Sequence, residues 1–220
     1  MKPKQQMILS LCLIAAFALW TAAVSLVDVQ AIGPDASTVG FAALNSAFHR
    51  LTGVHMSLYL LTDWLSLVPV GFVMGFAGLG LVQWIARRHL SRVDLSLFVL
   101  GGFYIAVMAV YVLFEFWVIN HRPVWIDGVL EASYPSSTTL LVLCVMPTSI
   151  LQLRSRIHNL LCRRCITLVL SAFTLFMAMG RLISGVHWLS DIIGSVLLSA
   201  GLVLMYHSAA RGSVLSSASE

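Results

Sequence analysis

The sequence predicts an all-α integral membrane protein: a six-helix transmembrane bundle with one short amphipathic helix at the membrane interface. Three observations carry this. The 220-residue chain is 59% hydrophobic and 10% charged, where a soluble domain carries about 25% charged residues. Six stretches, roughly 7–27, 58–86, 94–119, 136–153, 165–180 and 187–207, are apolar over close to the length of about 20 residues that a helix needs to cross a bilayer core of about 30 Å. The basic residues also gather on one side of these stretches. The length suits a single membrane-embedded domain over 1–220, and no internal repeat divides it.

Span one follows Lys2 and Lys4. Its apolar run of about 20 residues exceeds the 7–15 of a secretory signal, so it is read as a retained helix. Next, Phe41, Leu44, Phe48, Leu51 and Val54 recur at helical spacing, with Asn45, His49 and Arg50 between them. That is an amphipathic helix. It is too short and polar to cross, so it is expected to lie flat on the outer leaflet, as a helix packed on the bundle or as a wall of a lipid-access groove. Span two holds Asp63, expected to hydrogen-bond a neighbouring helix, and Gly71 and Gly75, whose spacing suits close helix packing. Pro69 and Pro147 are expected to kink spans two and four. A short basic loop, in which Cys162 and Cys165 flank Arg163-Arg164, joins spans four and five. With only His158 nearby it lacks the ligands of a zinc site, and its thiols are read as incidental.

Ten of the 13 basic residues (Lys2, Lys4, Arg87, Arg88, Arg92, Arg154, Arg156, Arg163, Arg164 and Arg211) then fall on one side. The positive-inside rule makes that side cytoplasmic. Both termini are expected there, in the plasma (inner) membrane, with the thiols of the basic loop reduced. The net charge of +4 is accounted for by this topology, and no nucleic-acid partner is expected. Arg50, Arg122 and Arg181 lie on the outer side, against the bias, and two of them belong to the main motif.

Arg181, His187 and Asp191 form the pattern R-x5-H-x3-D at the outer mouth of span six. A separation of four places His187 and Asp191 on one helix face. A carboxylate on one imidazole nitrogen fixes the tautomer and makes the other nitrogen the better nucleophile. Arg181 can grip phosphate oxygens through two hydrogen bonds, and Arg122, stiffened by Pro123, supplies a second clamp. Ser136 and Ser137 follow Pro135 where span four begins, and the free amides of a helix N-terminus suit an anion. Phosphoryl transfer is mostly positioning and charge stabilisation, so this set fits that chemistry. A lone His/Asp pair is more often a buried structural hydrogen bond, and lone arginines often anchor to headgroups. Here the residues come as a set at one membrane face, where ionisable groups are functional by default. A transporter would place them at the midplane instead.

At these residues the sequence resembles the type-2 phosphatidic acid phosphatase superfamily of membrane lipid phosphatases, whose signatures are K-x6-R-P, P-S-G-H and S-R-x5-H-x3-D. The third is present from Gly180-Arg181 through His187 to Asp191, with Gly180 in place of serine. The resemblance implies a phosphohistidine intermediate on His187, with Asp191 as its orienter. It assigns Arg122, Arg181 and Ser136 to phosphate binding, with Ser137 beside them, and implies no metal or cofactor. Two positions depart. The lysine of the first signature falls on Glu115, expected to pair with Arg122 or Arg181, and the histidine of the second falls on Thr138. In the family that histidine protonates the leaving group, whereas a threonine hydroxyl is a poor acid at neutral pH. Three readings stay open. The substrate is a lipid diphosphate, such as a polyprenyl diphosphate, which needs no acid; or His121 supplies the proton to a phosphatidic acid-type monoester; or the protein is a non-catalytic lipid-phosphate binder or transport-related relative.

Overall fold

Six helices long and apolar enough to cross a membrane lie among the described residues: Lys4–Leu26, Met56–Arg87, Leu95–Phe116, Ser137–Arg156, Leu160–Ile183 and Leu189–Ala210. The computed structural model describes residues 3–216, with side chains over 4–210; Lys2 and the Arg211 side chain lie outside that description. The elements run α1 (Pro3–Leu26), β1 (Gln30–Ala31), β2 (Thr38–Val39), α2 (Ala42–Thr52), α3 (Met56–Leu65), α4 (Leu67–Arg87), α5 (Leu95–Phe116), α6 (Ser137–Arg156), α7 (Leu160–Ile183) and α8 (Leu189–Ser216). The two short strands pair antiparallel, Gln30 opposite Val39.

α6 and α8 are the central helices, each 56% buried over its membrane window against 6% for the window spanning α3 and α4. α1 lies along α8, where the Ser10 hydroxyl donates to the Gly201 carbonyl at 2.8 Å and a Cβ on Gly201 would meet Ile14 at 2.8 Å. One aromatic cluster of Phe17, Phe114 and Tyr134 joins α1, α5 and the loop before α6. Its Tyr134 hydroxyl bonds Thr21 at 2.7 Å.

Several sequence expectations need correction. Span two is two helices that meet at Ser66, whose N–H donates to the Thr62 and Asp63 carbonyls at 3.1 and 3.0 Å. Pro69, with no N–H to return to the Leu65 carbonyl, falls just beyond this break, and Pro147 lies inside α6. Cys162 and Cys165 do not lie in a loop. Asn159 caps α7, accepting the Cys162 N–H at 3.0 Å, so the basic pair occupies the first turns of that helix and its positive charge flanks the membrane from there. Gly71 and Gly75 seat no neighbour, because a Cβ at either would meet open space. Close helix approach occurs at Gly180 instead, against Thr62 of α3.

The amphipathic helix exists as α2, but its faces are allotted by the bundle's polar groups. Leu44 and Leu51 are exposed, while Asn45 is fully buried. Asn45 donates to the Gly40 carbonyl at 2.7 Å and to Ser190 Oγ at 3.0 Å, and its carbonyl accepts the Ser190 N–H at 3.1 Å. A polar inner face and an apolar outer face suit a helix packed on a bundle and bathed in lipid.

Five interhelical segments therefore crowd one end of the bundle: the β1–β2 hairpin, α2, its link to α3, the loop 117–136 and the turn 184–188. That turn depends on Gly185, which has φ +70°, and an added Cβ would meet the Gly53 carbonyl oxygen at 1.9 Å. Gly185→Ala should therefore lose stability by more than the about 1–3 kcal/mol of a left-handed non-glycine residue. Thermal unfolding of the purified protein in detergent measures this, and an unchanged midpoint would contradict the described turn.

Candidate active site

His187 sits in the turn 184–188 and Asp191 in the first turn of α8, so the pair does not share a regular helix face. Asp191 has no exposed surface. Its carboxylate gathers four donors. Oδ1 accepts from Asn120 Nδ2 at 3.1 Å and Ser190 Oγ at 3.3 Å. Oδ2 accepts from the Trp188 N–H at 3.0 Å and Ser133 Oγ at 2.5 Å. The His187 Nδ1 to Asp191 Oδ2 distance is 4.0 Å, too long for a hydrogen bond. The Ser133 hydroxyl stands between them, 3.0 Å from Nδ1. The direct carboxylate–imidazole contact expected from the spacing is thus a three-member chain.

The arginines lie at the same end. Arg181, 1% exposed, donates from Nη2 to Thr138 Oγ1 at 2.7 Å and pairs with Asp63 at 3.4 Å. Its Nη1 reaches the Tyr59 carbonyl and Thr62 Oγ1 at 3.5 and 3.4 Å. Arg122 pairs through Nη2 with Glu131 at 2.9 Å. Both guanidinium carbons lie over the Tyr59 ring, 4.8 Å from its centre for Arg181 and 5.7 Å for Arg122. They are therefore no farther apart than those two distances combined, well inside the span that two side chains can close on one phosphate. Expected pairing of Glu115 with an arginine is corrected: Glu131 and Asp63 take those places, and Glu115 is exposed with no ion pair among the described residues.

Four buried nitrogens in this cluster have no hydrogen-bond partner among the described residues: Arg122 Nε and Nη1, Arg181 Nε, and His187 Nε2. Buried polar groups left so are rare. Burial, then the charges of Arg122 and Arg181, push the His187 pKa well below the ordinary 6.5, with the Ser133 backbone a smaller opposing influence. The ring is thus held neutral, as a nucleophile requires.

Of the remaining sequence candidates, Ser136 caps α6 without bonding an α6 amide, and its hydroxyl pairs with Thr139 Oγ1 at 2.9 Å. Ser137 and Thr138 line a cavity of about 240 Å³ with Val73, Tyr104 and Met108. His121 accepts the Trp188 indole N–H on its carbonyl at 2.8 Å, and its ring makes no hydrogen bond among the described residues. Ser133, Asn120, Glu131 and Tyr59 were not legible in the sequence. Asn120, Ser133 and Tyr59 reach the motif across 71, 58 and 122 residues, which no local spacing reveals.

The loop holding Arg122 and Ser133 is folded on itself. The Arg122 N–H donates to the Glu131 carbonyl at 3.1 Å and the Ser133 N–H to the Asn120 carbonyl at 2.9 Å. One pinched ribbon thus delivers the Arg122 guanidinium and the bridging Ser133 hydroxyl together.

Comparison with known proteins follows the same lines. The PAP2 superfamily matches residues 106–213, from α5 through the whole R-x5-H-x3-D motif. The fold is similar to a solved transmembrane PAP2-type phosphatidylglycerolphosphate phosphatase from Bacillus subtilis, with 18% identity, 90% of this chain and 94% of that chain covered, and a TM-score of 0.52. No curated protein matches the chain.

The lowered His187 pKa sets a direction with pH. Protonation costs more in the folded than in the unfolded chain, so stability is complete above about pH 6.5 and declines as pH falls below it. Nitrogen NMR, assigned with His187→Ala, should show His187 still neutral at pH 6, and the loss of stability between pH 7 and 5 should be smaller in His187→Ala. A ring titrating at 6.5 would contradict the buried site.

Proposed function

Because the chain belongs to the PAP2 superfamily, a family of membrane lipid phosphatases with first and second signatures degenerate here, we propose that it hydrolyses a lipid phosphate or diphosphate through a phosphohistidine on His187. The observation that carries this is the set of four unpartnered nitrogens. Three are guanidinium donors suited to phosphate oxygens, and the fourth carries the lone pair that attacks phosphorus. Nε2 forms the bond to the terminal phosphorus as that phosphorus loses its bond to the lipid alcohol oxygen of a monophosphate, or to the bridging oxygen of a diphosphate, which departs as the lipid phosphate. Water then cleaves the phosphohistidine, releasing phosphate and restoring the ring. The chain acts as one membrane-embedded domain, with both termini cytoplasmic and the site facing outward.

A place for the lipid adjoins the cluster. The cavity lined by Thr138 shares Val73, Tyr104 and Met108 with a second of about 570 Å³ between α4 and α5. The second is bounded by apolar side chains from Leu97 to Met108 of α5 and from Val73 to Trp84 of α4. From Tyr111 to Leu97 the groove follows about 21 Å of helix, long enough for one extended hydrocarbon chain.

Thr138 favours a diphosphate. An alkoxide leaving group needs a proton, since its parent acid is about as weak as water at 15.7, whereas a phosphate monoester leaves with a second pKa of about 6. A second reading, a non-catalytic lipid-phosphate binder, is favoured by Glu115 and Thr138 together.

Purified protein should release phosphate from a polyprenyl diphosphate faster than from a monophosphate of the same lipid, the missing acid costing about 10²–10⁴-fold on the monophosphate alone. His187→Ala should abolish both activities, and Thr138→His with Glu115→Lys should raise the monoester rate selectively. Binding without turnover would favour the second reading, and full turnover in His187→Ala would place the chemistry elsewhere. For orientation, Cys162 and Cys165 should resist a membrane-impermeant thiol reagent in intact cells; efficient labelling would invert the proposed topology.

A further inference from the structure

We propose that Ser133 is a positioning residue that couples Asp191 to His187, holding the imidazole in the tautomer that presents Nε2 to phosphorus. This rests on the reading of His187 as nucleophile. The geometry leaves little freedom. Ser133 Oγ carries a single hydrogen. Its 2.5 Å approach to Asp191 Oδ2 is that of a hydroxyl donating to a carboxylate, so that hydrogen is committed. Toward His187, 3.0 Å away, the oxygen offers only a lone pair, and Nδ1 must be the donor. Nδ1–H leaves Nε2 without a proton, and Nε2 is the ring nitrogen with no partner.

Asp191 cannot take over the task by a small shift. It is fixed by Asn120, Ser190 and the Trp188 N–H as well as by Ser133, and closing the 4.0 Å gap would strain several of these bonds. Ser133 is fixed as firmly, through its N–H to the Asn120 carbonyl at 2.9 Å. Asn120 therefore places both the hydroxyl and the carboxylate. When Nε2 binds phosphorus the ring becomes cationic. The Ser133 oxygen then accepts a stronger bond from Nδ1–H while its own hydrogen stays on the carboxylate. Both protons remain on their own atoms, and the carboxylate charge acts through the hydroxyl.

The test uses the full-length protein labelled with nitrogen-15 at histidine, His187 being assigned with His187→Ala. The unmodified protein should show His187 protonated at Nδ1 and bare at Nε2. Ser133→Ala should shift the ring to a mixture of tautomers, and Ser133→Thr, which keeps the hydroxyl, should restore the original signature. Turnover of a polyprenyl diphosphate should fall about 10- to 100-fold in kcat in Ser133→Ala with KM little changed. In an Asp191→Asn background, Ser133→Ala should cost nothing further, because the two act as one unit. Ser133→Cys, close in size but a weak hydrogen-bonder, should fall between the unmodified protein and alanine, and it decides the matter if the alanine variant fails to fold. An unchanged tautomer in Ser133→Ala or Ser133→Cys, or losses that multiply in the double variant, would overturn the proposal while leaving the nucleophile assignment intact. Retained turnover in His187→Ala would overturn that assignment, and the role of Ser133 in turnover with it.

Discussion

A carboxylate with no exposed surface must collect hydrogen-bond donors or give up its charge. Asp191 collects them from three segments: Asn120 and Ser133 of the loop before α6, the Trp188 amide of the turn, and Ser190 of its own helix. Ser190 is in turn held by Asn45 of α2, which extends the network to the interfacial helix. The cluster is thus assembled around a carboxylate with no exposed surface. Its demand for donors fits a loop 117–136 that folds back on itself, while the inward polar face of α2 serves Ser190.

The cations obey a related constraint. Two guanidiniums over one tyrosine ring repel each other. Each is steadied by a carboxylate on a single nitrogen, Glu131 for Arg122 and Asp63 for Arg181. Arg122 Nε and Nη1 and Arg181 Nε are left without a hydrogen-bond partner among the described residues, donors suited to the oxygens of an anion. Burial, and then the charges of the two arginines, hold the His187 pKa well below its ordinary value. On the proposed function, clamp and nucleophile are linked, since the field that would hold a phosphate also helps preserve the lone pair that would attack it. A lysine at position 115 would add to this field. Glu115, exposed and unpaired among the described residues, leaves the two arginines to supply it.

The sequence carried the membrane spans and the side of the bundle where the motif gathers, because hydropathy and charge counts report on solvent rather than on tertiary contact. It carried less of what depends on distant partners. The stripe from Phe41 to Val54 announced α2, but which face turned inward was decided by Ser190, 145 residues from Asn45. R-x5-H-x3-D suggested a direct histidine–aspartate contact. The chain places His187 in a turn, and the resulting gap is filled by a serine 54 residues upstream. The spacing of Gly71 and Gly75 suggested packing, yet those glycines border an open groove, since a small-residue pattern does not say whether a helix or a lipid chain lies against it.

Thr138 is where the polar and apolar halves of the site meet. Its oxygen accepts from Arg181 Nη2 at 2.7 Å, and it also lines the cavity that leads toward α4 and α5. On the proposed function, a lipid with its phosphate on the arginines and its chain in that groove would carry its scissile oxygen past this residue. The lone pair of Thr138 is engaged by the guanidinium, so its hydrogen is free to point at the departing oxygen. A hydroxyl can steady developing negative charge there by a hydrogen bond, but it cannot surrender its proton at neutral pH as an imidazolium does. Stabilisation without proton transfer is enough only when the departing group is stable as an anion, which is the case for a phosphate and not for an alkoxide. On the proposed function, threonine at this junction therefore bears on substrate choice rather than on whether phosphate is bound.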